Sequence, residues 1–211
     1  TSRAIVSEVP GTTRDATDTP MDYQGRSLVL VDTAGIRRRG RVDPGIEKYS
    51  VLRSFRAIER SDVGLLLIDA TEPASAQDLH IAGYLLEAFR GIVLVVNKWD
   101  LLEEEGRASQ EEFLSLLRYR FRFIPYAPVC FTSALRSEGI PELLAQAWEV
   151  GTARYQRVPE AELTKIFRKA IMDHPTPSVG RQYLRITQPK QEQVAPPTFS
   201  FVINRPEMLH F

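Results

Sequence analysis

The chain has 211 residues, 43% of them hydrophobic, which suffices for one ordinary domain plus a small one and excludes a disordered tail. Lysine plus arginine (27) equals aspartate plus glutamate (27), so no global charge draws the molecule to nucleic acid or membrane, and any RNA contact must be local. A single Cys130 excludes an intramolecular disulfide, no signal-like start is present and no apolar run nears the ~20 residues that span a bilayer, so a cytoplasmic protein without a membrane partner is expected.

Along the chain, Pro10-Gly11-Thr12-Thr13-Arg14-Asp15 comes first and puts hydroxyls in a loop. Thr13 there can ligate magnesium beside a terminal phosphate; an ordinary Pro-Gly turn is the alternative. Strands are predicted at Thr19–Gln24 and Ser27–Asp32, with Gln24-Gly25-Arg26 as the turn between them. The second ends in Asp32-Thr33-Ala34-Gly35, where Asp32 can hold magnesium through water and the Gly35 amide can approach a terminal phosphate closely because it lacks a side chain. Arg37, Arg38, Arg39 and Arg41 follow at once. Such a run is usually a solvated loop, yet a loop that reorders with a phosphate can also present or withdraw charge.

Ile46–Arg60 reads as a helix with Ile46, Tyr49, Val51, Leu52, Phe55 and Ile58 on one broad apolar side. Val63–Asp69, Ile92–Asn97 and Pro128–Thr132 read as strands; the continuous apolar runs Leu65–Ile68 and Ile92–Val96 are those of parallel strands covered on both faces. Helices are predicted at Gln77–Phe89, Gln110–Arg122 and Pro141–Tyr155. This alternation predicts a doubly wound α/β domain, with its ligand at the carboxyl ends of the strands.

Asn97-Lys98-Trp99-Asp100 sits at such an end. The pattern puts a carboxylate where it can accept from guanine N1–H and the exocyclic amine, a donor pair that adenine lacks. Asn97 braces the base site and Lys98 can lie along the base plane. Ser133-Ala134, ending another strand, can offer backbone amides to guanine O6. Taken singly, each segment is also a plausible strand end or helix cap; in this order they point to GTP or GDP with Mg2+, bound by Asp32, Thr33, Ala34, Gly35, Asn97, Lys98, Asp100, Ser133 and Ala134, with Thr13 and Asp32 at the metal and Thr13 and Gly35 serving hydrolysis.

Ala34–Arg41, Gly45–Val51 and Arg56–Val63 together resemble the second GTPase domain of the Der (EngA) family. The resemblance covers essentially the whole chain. It implies a GTP-hydrolysing switch in large ribosomal subunit biogenesis, with the 50S precursor, ribosomal RNA and another GTPase domain of the same protein as partners. It also implies a GTPase domain over 1–157 and a KH-like domain over 158–211. The phosphate-cradling G-x-x-x-x-G-K-[ST] loop does not occur in the sequence, which is the expectation for a chain lacking the first strand and that loop. A nucleotide-independent RNA- or protein-binding remnant is the alternative from another class, and a single-domain GTPase of tRNA modification the alternative among enzymes. Ile36 stands where many GTPases carry a water-positioning glutamine, so slow intrinsic hydrolysis is expected.

Beyond Val158 the pattern changes. A helix at Ala161–Asp173 precedes a Pro-rich connection, then strands at Tyr183–Thr187 and Thr198–Asn204, and no G-x-x-G clamp occurs. From Ala161 onward seven Lys/Arg stand against four Asp/Glu, an excess that a solvated face explains as well as an RNA footprint. The three histidines are scattered and define no metal site.

Overall fold

A computed structural model describes residues 17–32, 55–104, 106, 109–176, 178–179 and 182–208. The loop around Thr13, the segment Thr33 to Arg41 and the first part of the expected Ile46–Arg60 helix lie outside the described residues; of that helix, residues 55–60 are seen as helical. The chain divides into two compact units, Thr1–Gly151 and Thr152–Phe211.

In the first unit, β1 (Thr17–Tyr23) and β2 (Arg26–Asp32) form an antiparallel hairpin with Thr17 opposite Asp32. The turn is two residues, not the three expected, because Gln24 (φ 54°) and Gly25 (φ 76°) both take the left-handed backbone that matches strand twist; Arg26 therefore starts β2. Asp22 Oδ1 accepts from the Gly25 amide at 3.0 Å and helps close the turn. Three ties hold the hairpin in place. Arg60 forks onto Asp18 at 2.5 and 2.6 Å, Tyr23 donates to the Pro141 carbonyl at 3.0 Å, and Arg26 lies 4.9 Å above the Trp148 ring.

The parallel sheet has the order β3 (Val63–Asp69), β4 (Gly91–Asn97), β5 (Val129–Phe131). Between them run α1 (Ala76–Glu87), α2 (Trp99–Glu104) and α3 (Gln110–Arg120), and α4 (Ile140–Tyr155) follows. Helices α1 and α3 start on capping boxes, Ser75 with Asp78 and Ser109 with Glu112, in which hydroxyl and carboxylate satisfy each other's amides.

Alternation along β4 sends Ile92, Leu94 and Val96 to one face, packed with Ala82, Leu85, Phe113, Leu117 and Phe121, and Val93 and Val95 to the other, packed with Cys130, Leu143 and Val150. Helices thus cover both faces of β4, as its apolar run requires. Strand β3 departs from that expectation. Leu66 and Ile68 are buried, but Leu67, on the opposite face, is 60% exposed, so among the described residues that face of β3 is not covered at Leu67. Burial pushes the Cys130 thiol up, aided by Glu142, so this sulfur packs as a small apolar group.

The second unit holds α5 (Glu160–Asp173), the short pair β6 (Ser178–Val179) and β7 (Gln182–Tyr183), and the hairpin β8 (Ile186–Gln193) with β9 (Thr198–Ile203). The expected single strand Tyr183–Thr187 is therefore two: Leu184 and Arg185 interrupt it, and β8 continues much further through polar residues. Phe167 of α5 stacks on Phe201 of β9 at 4.9 Å. Gln191, 6% exposed, fastens β8 to the segment before α5: its Oε1 accepts from the Val158 amide at 2.8 Å, and its Nε2 donates to the carbonyls of Gln156 (3.1 Å) and Gln193 (3.3 Å). Gln191→Ala removes three hydrogen bonds to part-buried backbone groups, which water can partly replace, and is expected to cost about 1 kcal/mol. Hydrogen exchange checks it: protection in β8 should fall, and unchanged protection there would show that the fastening carries no weight.

Candidate functional site

The site grows from the carboxyl ends of the parallel strands. Register places Asp69 opposite Asn97 and Val96 opposite Phe131, so the residues following β3, β4 and β5 emerge side by side. Backbone bonds then stitch the loops together. The Asn97 carbonyl accepts from the Ala70 amide at 3.0 Å, and the Trp99 amide donates to the Thr132 carbonyl at 3.1 Å. Between those two anchors Lys98 takes a left-handed φ of 63°, uncommon for a residue with a side chain.

Asp100 lies in the first turn of α2. It is 5% exposed, and among the described residues its carboxylate has no hydrogen-bond or ion-pair partner. Neither carboxylate oxygen is fully enclosed, so the group sits in a largely buried residue yet stays open to a ligand that brings donors. Trp99 fixes its position: the indole is buried, edge-on to Phe131 at 4.6 Å and to Phe113 at 5.6 Å, which roots the start of α2 in the core.

Asn97 faces the next loop. Its Oδ1 accepts from the Ala134 amide at 3.0 Å and lies 3.3 Å from the Thr132 hydroxyl, while its Nδ2 has no partner among the described residues. Ser133 is fully buried; its amide donates to the Glu138 carbonyl at 3.1 Å, and its hydroxyl accepts from the Arg136 amide at 3.2 Å. Both amides expected at guanine O6 are thus engaged within the protein. For O6 to use Ala134, it must share or displace Asn97 Oδ1. The same loop requires Gly139 (φ 72°), where a Cβ would lie 2.1 Å from the Phe131 carbonyl oxygen.

The structure brings Asn97, Lys98, Asp100, Ser133 and Ala134 into one cluster. Asp32 ends β2, and Thr13, Thr33, Ala34 and Gly35 lie outside the described residues. Sequence reading missed Asp69, whose signal was its place at the end of an apolar run. Its Oδ2 accepts from Lys98 Nζ at 2.5 Å and its Oδ1 from the Thr71 hydroxyl (2.6 Å) and amide (2.9 Å). Desolvation pushes this carboxyl up, but Lys98 and Thr71 more than offset it and hold it below the usual carboxylate range. A polar recess of about 160 Å³ beside the site is lined by Trp99, Glu103, Gln110, Thr132, Ser133 and Glu138 among others. Among the described residues no three His, Cys, Asp or Glu cluster as a metal cage, and no helix is long and apolar enough to cross a membrane.

Sheet, helices and loop cluster define a GTPase domain of the P-loop NTPase fold, followed by a KH-like domain. The family profile described as "50S ribosome-binding GTPase" matches residues 1–98, and that described as "KH-domain-like of EngA bacterial GTPase enzymes, C-terminal" matches residues 157–211. The chain is 48% identical over 210 residues to GTPase Der of Thermomicrobium roseum and 46% identical to that of Chloroflexus aggregans, covering 99% of this chain and 46% of each relative. In fold it is similar to Era of Aquifex aeolicus bound to GDP and AlF4− (TM-score 0.59, 19% identity, 97% of this chain and 72% of that one). It is also similar to a probable GTP-binding protein engB (TM-score 0.52, 18% identity, 70% of this chain and 88% of that one). The chain belongs to the GTPase Der (EngA) family, and it spans about half the length of the curated relatives it matches.

Proposed function

We propose that this chain supplies the guanine-reading part of a GTP-hydrolysing switch that acts on the precursor of the large ribosomal subunit. The observation that carries the reading is Asp100, buried and unpartnered beside Asn97 and the Ser133-Ala134 loop. It accepts from guanine N1–H and the exocyclic amine. Asn97 Nδ2 is available to the base, Lys98 lies along its plane, and Ala134 turns to O6 as Asn97 yields. The GTPase part extends to residue 157 and the KH-like part begins at 158, with a further GTPase domain in the same protein and ribosomal RNA among the partners.

Asp32 and Thr13 would hold Mg2+. One carboxylate and one hydroxyl would give a hard oxygen donor set, which suits magnesium. Bound there, the metal would supply neutralisation of charge on the phosphoryl group. Thr33, Ala34 and Gly35 approach the terminal phosphate, and Ile36, with no group to orient water, keeps intrinsic hydrolysis slow. Arg37, Arg38 and Arg39 then convert nucleotide state into charge presented to RNA.

In the full-length protein, GTP should bind in preference to ATP, and sedimentation with 50S precursors should depend on nucleotide and weaken with salt. Replacing the three arginines with Ala should reduce sedimentation and flatten its salt dependence while GTP affinity survives. Binding that does not distinguish GTP from ATP would overturn the reading of the base, and association unaffected by the arginines across a salt series would overturn their role.

A further inference from the structure

We infer that Asp69 is a positioning residue for the base site, acting through Lys98. The inference rests on the nucleotide reading above and adds a member that the N-K-x-D pattern does not contain. Three observations carry it. Asp69 stands at the carboxyl end of β3 directly opposite Asn97, so the two strand ends present Asp69 and Lys98 to each other. The carboxylate is oriented before it meets the lysine, because Thr71 occupies Oδ1 with two donors and leaves Oδ2 for Nζ. Lys98 itself has a left-handed backbone, pinned on either side by the Asn97–Ala70 and Trp99–Thr132 bonds, so its stem leaves the loop in a defined direction.

Lysine is a compact charge on a flexible four-carbon stem and spends rotamer freedom when it is ordered. Holding the ammonium at Asp69 removes that freedom before a ligand arrives. The side chain stays 55% exposed, so an aromatic base can lie against the methylenes while the charge remains paired. The carboxylate also keeps the ammonium at one edge of the base plane. The pairing therefore aligns Lys98 for the base.

Asp69→Asn tests this, because an Asn oxygen still accepts from both Thr71 donors while the charge facing Lys98 is lost. Dissociation of a fluorescent GDP from the full-length protein should become roughly two- to fivefold faster, the range set by a half-exposed charge pair. The turnover rate at saturating GTP should change less than the apparent affinity. Lys98→Ala should also speed dissociation, and adding Asp69→Asn to it should produce no further change, since the positioning has nothing left to act on. Thr71→Val loosens the carboxylate without altering its charge and should give a smaller acceleration of the same kind. A dissociation rate unchanged in Asp69→Asn, or effects of Asp69→Asn and Lys98→Ala that simply multiply, would overturn the proposal while the parent's preference for guanine over adenine leaves the nucleotide reading standing. A parent protein with no such preference would overturn both.

Discussion

Asp100→Asn is expected to turn a preference for GTP into one for XTP. The native carboxylate offers two acceptors, matching guanine N1–H and the exocyclic amine. An Asn offers one acceptor and two donors, so one of the two guanine donors meets another donor in a place from which water is largely excluded. Xanthine carries a carbonyl where guanine carries the amine, and the new Asn donor suits it. The loss for GTP should be on the order of several kcal/mol, because a buried polar group is left unmatched rather than merely less well bound. Nothing near Asp100 relieves the mismatch: the carboxylate has no partner among the described residues that could be recruited, and Trp99 anchors the first turn of α2 against Phe113 and Phe131. Competition among GTP, ATP and XTP in the full-length protein decides the matter. A variant that still selects GTP would mean that Asp100 does not read the base.

What the sequence disclosed depended on the length and regularity of each signal. Ile92 to Val96 is apolar throughout because β4 is covered on both faces, and that same fact made it readable as a parallel strand. Gln77–Phe89 and Pro141–Tyr155 carry enough turns for their apolar sides to show, and both were found as α1 and α4 within a residue or two at each end. Helix α2 was not separately expected, since six residues with Asp100, Glu103 and Glu104 among them cannot display a helical period. Strand β8 was cut short for a different reason. Gln188, Pro189, Lys190, Gln191, Glu192 and Gln193 look like a loop, and the strand survives by shifting register between Thr187 and Lys190 and by giving Gln191 a buried network of its own. The site divides in the same way. Asn97 to Asp100 was legible because the chemistry sits in adjacent letters, whereas Asp69 and Gly139 contribute through contacts that only the paired strand ends create.

Gly139→Ala should damage the site more than its chemistry suggests, and Gly25→Ala supplies the control. Both glycines have left-handed φ, 72° and 76°, so an added Cβ costs each about 1–2 kcal/mol in backbone strain. At Gly25 nothing lies within 4 Å of the new carbon, and the cost should stop there. At Gly139 the carbon would lie 2.1 Å from the Phe131 carbonyl oxygen and 3.2 Å from its carbon, both of them backbone in β5, so neither can swing aside as a side chain would. Relief requires the 133–138 loop to pull away from the strand end. That breaks the paired backbone bonds between Ser133 and Glu138 and shifts the Ala134 amide away from Asn97. The total should reach about 3–5 kcal/mol, strain plus forced repacking. Thermal melts of the two variants should therefore separate clearly, and GTP affinity should fall only in Gly139→Ala. Equal melts and equal affinities would show that the loop yields without cost, and that the close approach at Gly139 does not hold the base site together.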